Sequence, residues 1–499
     1  MTNLRWYHIA CLALLLIVGT FIRLPDLGRF GAWRDEYWGL YLATGRGDAL
    51  FQIPLQTLIT SPPPVGFAGA PHWWHIWTGL HSVTHPPLYY FLLRGWVDLF
   101  GESDRSVRIM SLLFGLGCIA LLFDSIRTWR GPWYGLVGAG IMTFAPIQID
   151  FCVQARPYTL IAFEGLLIAA ALFRIERHGP SALKLLALAS SVAALVLTHY
   201  FAIGIVIAAT VYALLRFKRA TGSRTLATIT LATGLAAALW APELWHNRGA
   251  FHNALGVLRF TPTPLKSTLD VAQRLTLGQV NFMNWPAAVA LAIMTYVLPP
   301  LDRRKTLWWL WTLFTIGIVL AVDLFRHSGL LQIDRYPFIA APAVYAILAM
   351  PLPGRLGKIV PLVVLFGAMA FGIARYQQGP ELGIASVYQL EDHRATAKFL
   401  RNNVISGDAV IIAANGDDPA FTYFAIEHYN GEWKVPVLLI STPLSDDVKR
   451  RIFGYRRVWV VGRSPADDTA KLLQGCSIVG LQGAGNFNSV WRIKEEAQP

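Results

Sequence analysis

The feature that most constrains this sequence is a series of long apolar runs that recurs along most of the chain. A membrane-spanning helix needs about 20 mostly apolar residues, and eleven runs approach that length. They lie at about 6–22, 106–124, 133–149, 157–173, 183–198, 201–215, 225–241, 286–301, 306–322, 337–350 and 359–374. The pattern predicts a polytopic α-helical membrane protein with about eleven transmembrane helices.

The composition excludes other classes of protein. Charged residues make up 15% of the 499 residues, whereas soluble proteins carry about 25%, so an ordinary cytosolic enzyme, a disordered chain and a fibrous chain are excluded. The net charge of +13 does not point to nucleic acid, because the basic residues lie between apolar runs. The four cysteines show no CxxC spacing, which supports neither a disulfide framework nor a zinc site. The first run lacks a cleavage site and is predicted to be a retained helix.

The basic residues of the loops predict the orientation. With a cytoplasmic N-terminus, only Glu176 and Asp302 oppose the basic residues of the inner loops. Those residues are Arg5, Arg127, Arg130, Arg174, Arg177, Lys184, Arg216, Lys218, Arg219, Arg224, Arg303, Arg304, Lys305, Arg355 and Lys358. Short loops rich in Lys and Arg stay in the cytoplasm. We therefore expect a cell inner membrane location, with the large loops and the C-terminal region on the periplasmic side.

The segment 86–100 tests this orientation. It is apolar but only about 15 residues long, and it carries Arg94 and Asp98 on one helical face. Counting it as a span would invert every later loop. It is therefore predicted to be an amphipathic helix at the outer interface, within a first outer loop of about 23–105.

The C-terminal region has a different pattern. After about residue 375 the apolar runs shorten, as at 409–414, 435–440 and 457–462, and they alternate with helical patterns. This pattern is typical of an α/β domain. The predicted division is a transmembrane domain over 1–375 and a periplasmic α/β domain over 376–499. No GxGxxG follows the first strand, so no dinucleotide site is indicated.

Ionisable residues at the predicted outer boundary of the membrane are candidates for a functional site. Asp35 and Glu36 follow the first span, and such carboxylates suit a general base or a cation anchor; a helix N-cap is the alternative. Asp150 ends the third predicted span and is followed by Arg156 and Tyr158. An arginine at a helix N-terminus suits an anionic ligand, although it could also extend to lipid headgroups.

Further candidates lie on other outer loops. Arg335 and Tyr336 stand at the outer mouth of the tenth span, where a guanidinium group matches phosphate oxygens or anchors the helix at the interface. His199 and Tyr200 form a tight outer turn. His85 closes a histidine-rich stretch that could bind a metal or simply lie at the interface; its other members are His72, His75 and His81. Carboxylates and arginines at one membrane face suggest a reaction on a lipid-linked phosphate.

The chain resembles the GT-C superfamily of membrane glycosyltransferases over about residues 6–375. It is most similar to the dolichyl-phosphate-mannose protein mannosyltransferase and lipid A aminoarabinose transferase group. The motifs that carry the resemblance are Asp35-Glu36, HPPLYYFLLRGWVDLFG (85–101), DRSVRIMSLLFG (104–115), QARPY (154–158), THY (198–200) and DRYPFIAAP (334–342). Many relatives carry a Glu directly before the Ala-Arg of the fourth-span motif, and here that position is Gln154.

The resemblance implies a polyprenyl-phosphate-linked sugar as donor, transfer on the outer face and inversion at the anomeric carbon. Asp35 would deprotonate or orient the acceptor. Either Asp150 would take over from the carboxylate missing at position 154, or a second carboxylate would not be required. Arg156 and Arg335 would hold the donor phosphate, with help from His85. The acceptor, which could be a lipid, a glycan or a protein, is not identified. No cofactor is predicted, and a divalent cation remains an alternative.

Two other functions stay open at this point. The first is a multi-span transporter or flippase of a lipid-linked sugar, although transporters usually place charges near the bilayer midplane and contain repeats. The second is a non-catalytic scaffold with a glycan-binding domain. The Pro- and Gly-rich segment 61–71 is predicted to be a flexible surface excursion.

Overall fold

A computed structural model describes residues 4–29, 31–80, 85–246, 248, 305–326, 330–333, 335–349, 393–414, 418–462, 471–474, 476–484 and 488–495, with scattered positions between 363 and 374. The chain divides into two compact units. The first comprises Met1–Leu27, Val83–Leu92 and Arg105–Leu382, and the second comprises Gly28–Ser82, Leu93–Asp104 and Gly383–Pro499. The predicted span at 286–301, most of 359–374 and Asp334 lie outside the described residues.

Helices dominate the described residues. In chain order they are α1 (Trp6–Arg23), α2 (Arg34–Thr44), α3 (His75–Thr78), α4 (Leu88–Phe100), α5 (Asp104–Arg130), α6 (Pro132–Phe144), α7 (Pro146–Cys152), α8 (Tyr158–His178), α9 (Ala182–Val196), α10 (Ile203–Arg216), α11 (Arg219–His246), α12 (Thr306–Arg326), α13 (Ala341–Leu348), α14 (His393–Asn403), α15 (Asp418–Asn430) and α16 (Asp446–Ile452).

Within the described ranges, five helical segments are long and apolar enough to cross a bilayer: Trp6–Leu27, Asp104–Arg130, Tyr158–His178, Arg219–His246 and Thr306–Arg326. The pair α6 and α7 makes a sixth if the two helices form one broken span, since they are bent by 65°. Shorter apolar helices coincide with three more of the predicted spans. A mainly helical membrane protein is therefore confirmed, while the full count of eleven spans stays a prediction.

Small residues let the helices of the first unit approach closely. A Cβ on Gly204 of α10 would lie 2.7 Å from the Thr315 Cα on α12, and one on Gly165 of α8 would lie 2.6 Å from the Trp311 ring. A residue larger than glycine at either position would therefore collide with α12. Membrane helices commonly pack through such small residues, because lipid supplies no hydrophobic drive for association.

The break between α6 and α7 depends on a buried arginine. Pro146 has no N–H to offer the Met142 carbonyl four residues earlier. Arg23, at the end of α1, supplies a donor instead: its Nη2 lies 3.4 Å from the Met142 oxygen, and its Nη1 lies 2.9 Å from the Gly19 oxygen. The Arg23 side chain is fully buried. This contact stabilises the bend that leads into α7, the helix that carries Asp150.

The second unit contains a six-stranded sheet with the strand order β1-β3-β2-β4-β6-β5. The strands are β1 (Leu58–Ile59), β2 (Asp408–Ala413), β3 (Val437–Ile440), β4 (Arg457–Gly462), β5 (Cys476–Ala484) and β6 (Asn488–Glu495). β2 is parallel to both β3 and β4, whereas β1 and β6 pair antiparallel with β3 and β4. β2 and β3 are buried at every position, which explains their continuous apolar runs.

Residues of the first loop belong to this second unit. β1 extends the edge of the sheet beside β3, and the Gln56 Nε2 donates to the Thr442 oxygen at 2.7 Å. In the segment 61–71, the Glu427 carboxylate accepts from the amides of Val65 at 2.7 Å and Gly66 at 2.9 Å. The segment predicted to be a flexible excursion is thus bound to α15. The proposed boundary at residue 376 stays a prediction.

We expect Arg23→Met to lower the free energy of unfolding by about 1–3 kcal/mol, because it leaves the Met142 carbonyl buried without a donor. Arg5→Met is the matched control, since Arg5 is exposed beside the other end of α1 and should change stability by less than about 0.5 kcal/mol. Thermal or denaturant unfolding in detergent measures both. Equal stability of the two variants would contradict the role given to Arg23.

Candidate functional site

Six of the predicted site residues lie together in the first unit. The His199 ring is their centre: its centroid lies 5.8 Å from that of His85, 6.0 Å from that of Tyr158 and 6.4 Å from that of Tyr336. The two arginines lie over neighbouring rings, with the Arg156 Cζ 5.8 Å from the Tyr158 centroid and the Arg335 Cζ 5.3 Å from the Tyr336 centroid. We call this the arginine–histidine cluster; its members are His85, Arg156, Tyr158, His199, Arg335 and Tyr336.

Backbone hydrogen bonds bring the two histidines together. The amide of Leu88, at the start of α4, donates to the Leu197 oxygen at 3.0 Å, which joins the segment after His85 to the turn before His199. The His199 Nδ1 accepts from the Phe201 amide at 3.2 Å. This bond holds the ring at the start of the short 3₁₀ turn Tyr200–Ala202.

Arg156 is positioned by the end of the broken span. Its amide donates to the Gln154 oxygen at 2.8 Å, so the chain turns tightly between α7 and α8. On α7, the Phe151 ring packs 5.2 Å from Tyr158 and 4.2 Å from Phe338. The Arg156 side chain is buried, with 3% exposed. A guanidinium group held at this depth strongly favours an anionic partner.

Arg335 is positioned by a loop that Asp323 holds. The Asp323 carboxylate, on α12, accepts from the amides of Leu330 at 2.7 Å and Leu331 at 2.8 Å. Further along the same loop, the amide of Tyr336, the residue after Arg335, donates to the Ile333 oxygen at 3.1 Å. Asp323 is not among the site residues predicted from the sequence; its position near the C-terminal end of an apolar helix was the available signal.

The charged side chains of this cluster are its two arginines. Burial, followed by the charges of Arg156 and Arg335, lowers the pKa of His85 to about 3. Burial also lowers the pKa of His199 well below its usual value, with contributions from His85 and both arginines. Both imidazoles are thus neutral in the presence of two guanidinium charges, and the Nδ1 of His85 is buried with no hydrogen-bond partner within the described part of the chain. Such a site attracts an anion that accepts hydrogen bonds.

Asp150 has a defined partner. The Gln154 Nε2 donates to its Oδ2 at 2.9 Å, and both side chains are buried. A glutamate at position 154 would place a second acidic group against Asp150, whereas the glutamine seen here donates a hydrogen bond to it. Tyr200 is also hydrogen-bonded, since its hydroxyl accepts from the Trp240 indole at 2.8 Å.

The two carboxylates Asp35 and Glu36 belong to the second unit, where they have different surroundings. Glu36 is 1% exposed, and its Oε2 accepts from the Trp33 amide at 3.2 Å, which caps the first turn of α2. Asp35 is partly exposed. Sequence analysis left catalysis and capping open for this pair, and the structure assigns the cap to Glu36.

A buried carboxyl group on α8 also escaped the sequence analysis. Thr198 directly precedes His199 in the chain, and its hydroxyl donates to the Glu164 Oε1 at 2.9 Å. Glu164 is 3% exposed. Its signal in the sequence was a lone acidic residue within an apolar run, which is expensive in a membrane and therefore informative.

No metal centre is found among the residues that the structure describes: no three His, Cys, Asp or Glu side chains converge. Of the histidine-rich stretch, His81 lies outside those residues.

We expect His85 to stay neutral throughout the physiological pH range. Unfolded histidine takes up a proton near pH 6.5, but the folded protein does so only near pH 3, so acid below about pH 6.5 should favour unfolding. Histidine-selective NMR of the ¹⁵N-labelled protein measures this, with His85→Gln identifying the signal. Titration of that signal between pH 6 and 7 would contradict the buried, doubly charged surroundings.

The chain was compared with known proteins. Residues 84–246 match the family model described as dolichyl-phosphate-mannose-protein mannosyltransferase. A comparison with curated proteins finds no match. The fold resembles that of ArnT from Cupriavidus metallidurans in the apo state, with a TM-score of 0.57 at 12% identity, covering 96% of this chain and 97% of that chain.

A second ArnT structure from Cupriavidus metallidurans, bound to undecaprenyl phosphate, matches with a TM-score of 0.54 at 13% identity and the same coverage of 96% and 97%. At this identity the likeness concerns the fold. The predicted resemblance is therefore confirmed: the chain is similar to the GT-C membrane glycosyltransferases in fold over nearly its whole length, and in sequence over residues 84–246.

Proposed function

We propose that this protein is a glycosyltransferase that moves a sugar from a polyprenyl-phosphate-linked donor to an acceptor at the outer face of the membrane. The observation that carries the proposal is the arginine–histidine cluster, in which the rings of His85 and His199 lie 5.8 Å apart and both histidines feel the charges of Arg156 and Arg335. The similar fold of ArnT, which has been solved with undecaprenyl phosphate, supports a lipid phosphate as the anion.

The donor phosphate is the leaving group of the proposed reaction. Its negative charge grows as the bond to the anomeric carbon breaks, so fixed cations near it stabilise the transition state more than the ground state. Arg156 and Arg335 supply that charge in fork geometries that match phosphate oxygens. His85 adds a neutral hydrogen-bonding group, and Tyr336 lies beneath the Arg335 guanidinium. The rings of Tyr158 and His199 lie between these groups, and Tyr200 follows His199 in the chain.

The acceptor needs a group that removes or orients its proton. Asp35 fits this role best, because its side chain is partly exposed on the first turn of α2 while Glu36 is engaged in capping. Asp150 is the second candidate, and it accepts a hydrogen bond from Gln154. Attack on the side opposite the departing phosphate inverts the anomeric carbon.

The proposed topology has eleven spans, a cytoplasmic N-terminus and a periplasmic α/β domain in an inner membrane. The excess of Lys and Arg in alternate short loops supports it. A reaction outside the cytoplasm draws its energy from the lipid-linked phosphate, which agrees with the lack of a nucleotide motif in the sequence.

We expect Asp35→Asn to lower the turnover rate by about 10²–10⁴-fold, because it removes the general base, with little change in donor affinity. The measurement is transfer from a polyprenyl-phosphate sugar by purified protein in lipid vesicles, with products identified by mass spectrometry. Two variants serve as controls: Glu36→Gln keeps an oxygen to cap α2, and Asp48→Asn changes an exposed carboxylate of the same loop. Full activity of Asp35→Asn would refute the base assignment.

Arg335→Ala should weaken the binding of polyprenyl phosphate by about 10–100-fold, since a hydrogen bond to a charged group contributes about 1.5–3 kcal/mol. Its matched control is Arg326→Ala, which removes an exposed arginine at the end of α12. Binding of the lipid phosphate to both variants and their thermal unfolding should be compared. An unchanged affinity, or a loss shared by the control, would argue against a phosphate site at Arg335.

The same vesicles distinguish the transporter alternative. A transferase forms a glycosylated acceptor and free polyprenyl phosphate, whereas a flippase moves the intact lipid-linked sugar between leaflets. Mass spectrometry of glycolipids and envelope glycans, with and without the gene, identifies the sugar and the acceptor.

A further inference from the structure

A buried hydrogen-bond network in the second unit fixes the segment that leads into α2. At its centre, the Asp104 carboxylate accepts from the Tyr429 hydroxyl, which lies 3.0 Å from each of its oxygens. The same hydroxyl accepts from the Ala32 amide at 2.7 Å. Arg394 donates from Nη2 to Asp104 at 2.9 Å and from Nη1 to the Gly28 oxygen at 3.1 Å. The network thus holds residues 28 and 32, just before α2 begins at residue 34.

The charges around Asp104 set the direction of these hydrogen bonds. His428 lies between two carboxylates, with its Nε2 3.7 Å from Asp104 and its Nδ1 3.7 Å from Glu102. Burial alone would lower the pKa of His428, but the neighbouring Asp104 and Glu102 carboxylates raise it to about 9. With Arg394 also present, Asp104 stays anionic and only accepts. The Tyr429 hydroxyl must therefore donate to Asp104, which leaves its lone pair for the Ala32 amide.

α2 is also oriented about its own axis by this network. Tyr37 is 1% exposed, and its ring packs edge-on against those of His393 at 5.5 Å, His428 at 6.0 Å and Tyr429 at 6.2 Å. Asp35 precedes Tyr37 by two residues, which is about 200° around a helix. Burying Tyr37 in the network therefore turns Asp35 to the opposite side, in agreement with its partial exposure.

We propose that Tyr429, with Asp104 as its acceptor, is a positioning residue that sets the start of α2 and thereby the direction of the Asp35 carboxylate. This inference rests on the proposed function, in which Asp35 acts on the acceptor. Ala32 lies three positions before Asp35, so a small shift at Ala32 moves the carboxylate. A displacement of about 1 Å at a reacting group can cost about 100-fold in rate.

The chain offers a matched control on the same helix. The Tyr423 hydroxyl donates to the Pro63 oxygen at 2.7 Å, and that contact holds the 61–71 segment rather than α2. Tyr429→Phe and Tyr423→Phe each remove one buried hydroxyl from α15. We expect Tyr429→Phe to lower turnover by about 10–100-fold with the donor KM within about twofold, and Tyr423→Phe to leave both near wild type.

Two further readouts separate positioning from a loss of stability. If Tyr429 acts through Asp35, adding Tyr429→Phe to Asp35→Asn should lower the residual turnover by less than about twofold, because the two changes remove one function. Hydrogen exchange of the amides over residues 32–37 should become faster in Tyr429→Phe and stay unchanged in Tyr423→Phe, and this readout needs no activity.

The outcomes distinguish the inference from the proposed function. Loss of activity in Asp35→Asn, together with equal turnover and equal exchange in the two tyrosine variants, would overturn the inference and leave the function standing. Full activity in Asp35→Asn would overturn the function itself. A fall in unfolding temperature that accounts for the loss of activity in Tyr429→Phe would make its role structural and would also overturn the inference.

Discussion

An apolar surrounding makes a polar group without a partner costly, and this constraint acts on the described part of the first unit. A backbone carbonyl or a charge that loses water inside a membrane protein must find a donor, an acceptor or a counter-charge. Arg23 donates a hydrogen bond to the Met142 carbonyl, for which Pro146 has no N–H, and the Thr198 hydroxyl donates to the buried carboxyl group of Glu164. These contacts are expensive to break, so they hold the broken span and the His199 turn in defined positions.

The arginine–histidine cluster uses the same constraint for binding. Burial, followed by the charges of the two guanidinium groups, lowers the pKa of the neighbouring imidazoles, so the positive charge of the cluster lies on the two arginines. A site built this way is complementary to a group that gains negative charge during a reaction. The neutral histidines contribute hydrogen bonds without adding repulsion between cations, and the site keeps this character throughout the physiological pH range.

The second unit holds the first loop of this membrane protein in one conformation. Its sheet accepts β1 from the first loop at its edge, and α15 binds α2 and the 61–71 segment on separate hydroxyl and carboxylate groups. The aromatic rings of α2 pack against those of α15, with Tyr41 5.5 Å from Phe424 and Trp38 5.3 Å from Phe421. These contacts fix α2, which carries the partly exposed Asp35 carboxylate.

Local patterns in the sequence determined much of this architecture. The apolar run at 157–173 became α8, and the alternating short runs after residue 408 became the central strands, because hydropathy over a single element decides where that element is buried. The motif around Arg156 and the pair Arg335-Tyr336 were found in the same way, since charged residues at the end of an apolar run stand out against their neighbours.

Contacts between distant residues were decided only by the tertiary structure. Arg23 and Met142 are 119 positions apart, and Ala32 and Tyr429 are 397 apart, so no local pattern links them. From the sequence alone, Asp35 and Glu36 are two adjacent carboxylates with the same candidate roles. The packing of α2 leaves Asp35 partly exposed and buries Glu36 as a cap. The sequence by itself determined which side chains carry charge and where elements form. The tertiary structure decided their partners, because a partner depends on which surfaces meet after the chain has folded.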